Sequence, residues 1–213
     1  MGKFTNKIKF IYFDLGGVFF HWRIGVKRLA EKFRRSYEDF DAVRVKYEDL
    51  ICRGKMTPEQ FWEKYVEEFN LNVEPSFNFL DSWVSLFEPI PKTHQLAWEL
   101  SNKYRLGALT NAYPGIYDLQ IKKEMVPKID FQPKIISCEI GIVKPEKAIY
   151  KLATEKAQTP KEEIFFIDDV QENVTSAVEF GWQAIWFEEN NPSRSIREIR
   201  ESLGIRDYRG RRN

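Results

Sequence analysis

Three short apolar runs constrain the fold of this chain most: Ile8-Lys9-Phe10-Ile11-Tyr12-Phe13, Leu106-Gly107-Ala108-Leu109 and Ile164-Phe165-Phe166-Ile167. Each is bounded by turn or helix signals, the pattern of a buried parallel strand. Each also stops at residues that carry chemistry. The first leads into Asp14-Leu15-Gly16-Gly17-Val18, the second into Thr110-Asn111 and the third into Asp168-Asp169. In open α/β sheets ligands bind at the carboxyl ends of the strands. Three carboxylates and a hydroxyl would therefore converge on one edge, and Lys144-Pro145 adds an ammonium. Such a set suits a phosphate held beside a divalent cation.

What lies between the runs predicts the architecture. Residues from about Phe20 to Pro89 lack strand signals and read as helices. Thr57-Pro58-Glu59-Gln60 is a helix start, with Thr57 as N-cap, Pro58 in the first turn and Gln60 placed for a capping box. Its continuation puts Phe61, Trp62, Tyr65, Val66 and Phe69 on one face. Leu29, Phe33, Val43, Tyr47 and Leu50 mark two helices upstream, and Phe79, Leu80, Trp83, Val84 and Phe87 a fourth. So long a helical stretch exceeds the dozen or so residues a crossover needs. It predicts a helical cap domain over 20–89, inserted into an α/β core of 1–19 and 90–213.

From Pro91 onward helices and strands alternate. Helices are expected near Lys92–Tyr104, Pro114–Met125 and Pro145–Gln158, and from about Glu172. In the third, Pro145 takes the first turn and Ala148, Ile149, Leu152 and Ala153 face inward. Lys134-Ile135-Ile136-Ser137 and Gln183-Ala184-Ile185-Trp186-Phe187 supply two more strands. The fold class is α/β, a Rossmann-like five-stranded parallel sheet in the order 3-2-1-4-5, with right-handed crossovers. That order sets Asp14 between Thr110 and Asp168. Arg53-Gly54-Lys55 reads as a solvated loop, and the basic stretch from Arg206 to Asn213 as a frayed tail.

Composition removes several classes. The net charge of +1 gives no pull towards nucleic acid or a membrane surface. No segment approaches the roughly 20 apolar residues of a membrane span, and the first residues lack a signal peptide's apolar stretch. Two cysteines predict a reducing, cytoplasmic setting, and two histidines are too few for a multi-histidine metal site. The choice between monomer and dimer stays open.

Residue by residue, each segment has two readings. Asp14 suits a nucleophile, because a carboxylate can attack phosphorus and split a hard hydrolysis into two easier steps. Asp-Leu-Gly-Gly is also an ordinary turn after a strand. Thr110 and Asn111 suit phosphate oxygens, or cap a helix. Lys144 would neutralise charge at the reacting centre, or lie exposed before a helix. Asp168 and Asp169 repel one another unless a cation or donors offset them, and Mg²⁺ needs only one or two carboxylates plus substrate oxygens and water. Phe19, Phe20, His21 and Trp22 could line a pocket or pack between core and cap.

Taken together, the segments resemble the haloacid dehalogenase-like hydrolase superfamily from about Ile8 to Phe187. Phe13-Asp14-Leu15-Gly16-Gly17-Val18 is similar to its first motif and Leu109-Thr110-Asn111 to its second. Gly141-Ile142-Val143-Lys144-Pro145-Glu146 is similar to the third, and Phe166-Ile167-Asp168-Asp169 followed by Asn173 to the fourth. The insert resembles the helical C1 cap of the branch with dehalogenases and small sugar-phosphate phosphatases. The resemblance implies Asp14 as nucleophile, with Thr110 and Lys144 completing the catalytic set. It implies Thr110, Asn111 and Lys144 as phosphate binders, and Asp14, the Gly16 carbonyl, Asp168 and, less strongly, Asp169 as ligands of Mg²⁺. Most phosphatases of the superfamily carry a second Asp where this chain has Gly16. It serves as general acid and base, worth about 10²–10⁴-fold. Some relatives resembling this chain, a glucose-1-phosphate phosphatase among them, also have Gly there. The activity implied is Mg²⁺-dependent hydrolysis of a small phosphorylated metabolite, with no nucleic-acid or membrane partner. Metal-independent 2-haloacid dehalogenation and non-catalytic phospholigand binding are the alternatives.

Overall fold

A computed structural model describes residues 8–205. Strand β1 (Phe10–Phe13) alternates its side chains between two apolar layers. Ile11 and Phe13 join one buried cluster, while Phe10 and Tyr12 join the other. This period-2 alternation inside a fully apolar run is what a strand covered on both faces requires. Strand β2 (Phe20–His21) follows, then α1 (Trp22–Lys32), α2 (Tyr37–Cys52), α3 (Pro58–Phe69) and α4 (Phe79–Val84), and β3 (Glu88–Pro89) closes the excursion. The Thr57–Gln60 capping box forms, and Phe61, Trp62 and Tyr65 are buried. The expected fourth helix is there as well.

Next come α5 (Pro91–Ser101), β4 (Arg105–Thr110), α6 (Ile116–Lys122), β5 (Lys134–Ile136) and α7 (Ser137–Ile140). The chain continues through α8 (Lys147–Ala157), β6 (Ile164–Asp168), α9 (Gln171–Phe180), β7 (Gln183–Trp186) and α10 (Pro192–Ser202). The five-stranded sheet runs β5-β4-β1-β6-β7, every pair parallel, as expected.

Three local expectations need correction. Helix α8 starts at Lys147 rather than Pro145, because the preceding residues turn, with Glu146 N–H donating to Val143 O at 2.9 Å. Its buried face is Ile149, Tyr150, Ala153 and Ala157, and Ala148 is exposed. Tyr150 turns that face, its ring packed under β6 and its hydroxyl donating to Asn173 O at 2.9 Å. Between Phe20 and Pro89 the chain is not wholly helical either. Phe20 pairs with Pro89 and His21 with Glu88 in an antiparallel ribbon where the chain leaves and rejoins the core. The Arg206–Asn213 tail lies outside the described residues. No helix among them is long and apolar enough to cross a membrane.

Candidate active site

Asp14 sits just past β1, its N–H donating to Ile167 O at 2.9 Å, so its side chain emerges one step beyond the Phe13–Ile167 register pair. Asp168, the last residue of β6, is fully buried beside it. Lys144 Nζ reaches both, 2.9 Å from Asp14 Oδ1 and 2.7 Å from Asp168 Oδ2. Burial favours the neutral amine, but the two carboxylates outweigh it and hold the Lys144 ammonium above its usual pKa. Far from lying exposed before a helix, Lys144 is the central cation of the site. Its backbone is fixed by Asn111, whose amide donates to Lys144 O at 2.9 Å and accepts from Lys144 N at 2.8 Å. The Asn111 side chain is thus spent on the Lys144 loop rather than left free for a phosphate. Thr110, buried at the end of β4, faces the same cavity.

The two adjacent aspartates differ. Each Asp168 oxygen already meets two donors. Oδ1 accepts from Val170 N–H at 2.7 Å and from Asn173 Nδ2, and Oδ2 from Lys144 and Asn173 Nδ2. Asp169 is held through Oδ2 alone, by Arg23 Nη1 at 2.9 Å. Arg23 also reaches Glu189 Oε2 at 2.6 Å, and Glu189 in turn holds His21 Nδ1 at 2.9 Å. Burial, then repulsion from Asp14 and Asp168, raises the Asp169 pKa well above the usual carboxylate range despite Arg23. Asp168 is raised too, by burial first, with Lys144 opposing.

Carboxylate oxygens of Asp14, Asp168 and Asp169 lie within 4.8 Å of one another. An all-oxygen, mutually repelling set fits a hard divalent cation such as Mg²⁺. Asp168 has both oxygens engaged by donors, whereas Asp169 is bonded through Oδ2 alone. Gly17 makes this approach possible. Its φ is +71°, and a Cβ there would lie 2.1 Å from Asp169 Oδ2.

Above these residues opens a cavity of about 550 Å³, walled by the sheet edge on one side and by α1, α2 and α4 on the other. Gly16 lines it, and Trp22 covers Gly16. Of the four aromatics after Val18, Phe19 is core, His21 binds Glu189, and Phe20, itself buried, and Trp22 line the cavity. Arg53 is no solvated loop residue. It forms ion pairs with Asp49 and Glu146 and donates to Gly141 O at 3.2 Å, tying α2 to the core. Sequence reasoning missed Arg23, Glu189 and Arg44. Their charges fall on helices or loops where nothing in the pattern separates a cavity residue from a solvated one.

A family profile for haloacid dehalogenase-like hydrolases matches residues 8–181. The chain belongs to that hydrolase family, and is an enzyme of that class. Among curated relatives, pyrimidine 5'-nucleotidase YjjG of Escherichia coli (strain K12) is 22% identical over 160 residues, covering 71% of this chain and 70% of its own. Among solved structures, a HAD family enzyme from Bacteroides thetaiotaomicron, in complex with magnesium and inorganic phosphate, superposes with a TM-score of 0.65. It is 24% identical, covering 85% of this chain and 95% of its own. L-2-haloacid dehalogenase from Xanthobacter autotrophicus, with chloropropionic acid covalently bound, gives a TM-score of 0.60 at 19% identity, covering 83% and 76%. At these identities the solved structures establish the shared fold.

Proposed function

We propose that the protein is a Mg²⁺-dependent phosphatase that hydrolyses a small phosphorylated metabolite through an aspartyl-phosphate on Asp14, with α1–α4 acting as a cap over the site. The observation that carries this reading is Asp14 at the floor of the cavity, with Lys144 Nζ 2.9 Å away and the oxygens of Asp168 and Asp169 within 4.8 Å. Lys144 engages Asp14 Oδ1, which leaves Oδ2 for in-line attack on phosphorus. The new O–P bond replaces the bond to the leaving oxygen, which departs as an anion and takes its proton from solvent, since Gly16 offers no acid. Water then attacks the aspartyl-phosphate, freeing inorganic phosphate and Asp14. Lys144 neutralises charge throughout, and the Thr110 hydroxyl is placed to donate to a phosphoryl oxygen. Bound Mg²⁺, held by Asp14, the Gly16 carbonyl and Asp169, with Asp168 behind, would spread positive charge over the nucleophile and the phosphoryl oxygens.

The magnesium and phosphate complex of the Bacteroides thetaiotaomicron enzyme and the nucleotidase name of the Escherichia coli relative support this reading. The carboxylate pair beside the nucleophile favours it over a metal-independent dehalogenase. The test is a panel of phosphate esters, with Mg²⁺ or with chelator, on wild type and Asp14→Asn. Turnover that needs Mg²⁺ and disappears in Asp14→Asn is expected. Full turnover in chelator, or in the variant, refutes the assignment.

A further inference from the structure

Resting on the phosphatase reading, we infer that the group carried by the phosphate is uncharged and brings a hydrogen-bond acceptor and a donor, received by Trp83 on α4 and Gln120 on α6. Two independent sets of observations support this.

The first is charge. Among the described residues, Arg23, Arg44 and Lys144 are the basic side chains lining the cavity. Each is already matched by two carboxylates. Lys144 meets Asp14 and Asp168. Arg23 meets Asp169 and Glu189. Arg44 meets Asp41 at 2.5 Å and also Glu48. On the insert's wall Asp41, Glu48 and Asp49 outnumber Arg23 and Arg44. A second phosphate or a carboxylate on the substrate would face carboxylates there, beside guanidinium groups whose charge is already matched.

The second is polarity. Trp83 and Gln120 are 6% and 5% exposed, both line the cavity, and neither Trp83 Nε1 nor Gln120 Oε1 has a hydrogen-bond partner. A buried polar atom left without a partner is destabilising, so each of these atoms favours a ligand that completes its bond. Here a donor and an acceptor are left without partners on α4 and α6, elements packed against one another at the cavity wall. The Trp83 ring lies 5.3 Å from Tyr113 and 5.2 Å from Phe87, centroid to centroid, so the polar pair is set in aromatic surface. A hydroxylated ring or a cyclic amide satisfies both atoms while its faces meet those rings.

The experiment compares wild type with Trp83→Phe and Gln120→Met, which keep bulk and remove the polar atom. Probes are acetyl phosphate, which carries no such tail, glucose 1-phosphate, uridine 5'-monophosphate, glucose 1,6-bisphosphate and uridine 3',5'-bisphosphate. For at least one monophosphate, the ratio of its kcat/KM to that for acetyl phosphate should fall roughly 10- to 100-fold in each variant. The glucose and uridine arms separate hydroxylated ring from cyclic amide. Each bisphosphate should be at least about tenfold poorer than its monophosphate, since its added anion meets the acidic wall. Unchanged ratios, or bisphosphates that match their monophosphates, overturn the inference. Calorimetric titration of glucose and uridine reads the tail site without chemistry. Binding to wild type that both variants lose supports the inference even if no phosphate turns over, in which case only the phosphatase reading fails. Equal affinities in all three proteins, or no binding to any, overturn it.

Discussion

A Cβ built at Gly16 would lie 3.0 Å from Cδ1 of Trp22, whose ring is itself covered by the guanidinium groups of Arg23 and Arg44 at 4.4 and 4.8 Å. The place where most phosphatases of the superfamily carry an acid/base carboxyl thus faces, here, the indole of Trp22 on α1. Without that carboxyl, expulsion of a poor alkoxide lacks proton donation. Acyl and nitrophenyl phosphates should therefore be hydrolysed faster than simple alkyl phosphates, with rates falling steeply as leaving-group pKa rises. Gly16→Asp alone should flatten that slope little, because the indole must move first. Gly16→Asp with Trp22→Leu should flatten it more. A flat wild-type slope, with chemistry shown to be rate-limiting, would refute this. At this scale the sequence shows which residues cluster, since Asp14, Thr110, Asp168 and Asp169 sit at or just past strand ends that sheet order aligns. It does not show how their bonds are divided. Asp168 looks like an exposed edge carboxylate in the sequence. In the structure it is 0% exposed and a hub for four donor contacts.

Elements long enough to carry a period were legible, and the sheet order followed from the alternation of strand and helix. The ribbon of β2 and β3 was not, because two residues make no period. Its anchorage is nonetheless specific. The Phe19 carbonyl accepts from Ile90 N–H at 2.7 Å and from His94 Nε2 at 3.1 Å, fastening both passages of chain to α5. The His94 ring meets Phe19 edge-on with centroids 5.6 Å apart. Burial lowers the His94 pKa, although the carbonyls of Phe19 and Met125 pull the other way. The unfolded chain, with a histidine pKa near about 6.5, therefore takes up this proton more readily than the folded one. The contribution of His94 to stability is complete above that value and is lost as pH falls from it through the lower pKa of the folded state. Melting temperatures from pH 7.5 to 5.5 should drop more in wild type than in His94→Gln. Equal drops would show that the imidazole contributes nothing to acid sensitivity.

For the molecule as a whole, three carboxylates gathered beside Lys144 and Arg23 mean that the folded chain holds repulsion among them that the unfolded chain lacks. A ligand that binds only the folded state stabilises it by about 2.7 kcal/mol at a hundredfold excess over Kd. For a chain of this size that is roughly 5–10 °C in melting temperature. Mg²⁺ should raise the midpoint by that order and chelator should reverse it, with Asp169→Asn blunting the effect. A midpoint indifferent to Mg²⁺ would exclude the metal assignment whatever the activity shows. The near-neutral charge and the absence of a spanning helix among the described residues were readable from composition. Cavity shape was not, because it depends on how α1, α2 and α4 lean over the sheet edge. One consequence lies in the ribbon itself. With Phe20 opposite Pro89 and His21 opposite Glu88, the excursion begins and ends about 5 Å apart, as antiparallel neighbours do. To the sheet, the intervening residues are a loop of almost no span, whose length changes closure entropy only slowly. Recombination at these two points would exchange the helical excursion for another of different size and leave the strand-end residues in register, so that under the proposed function chemistry and selectivity would be separately heritable.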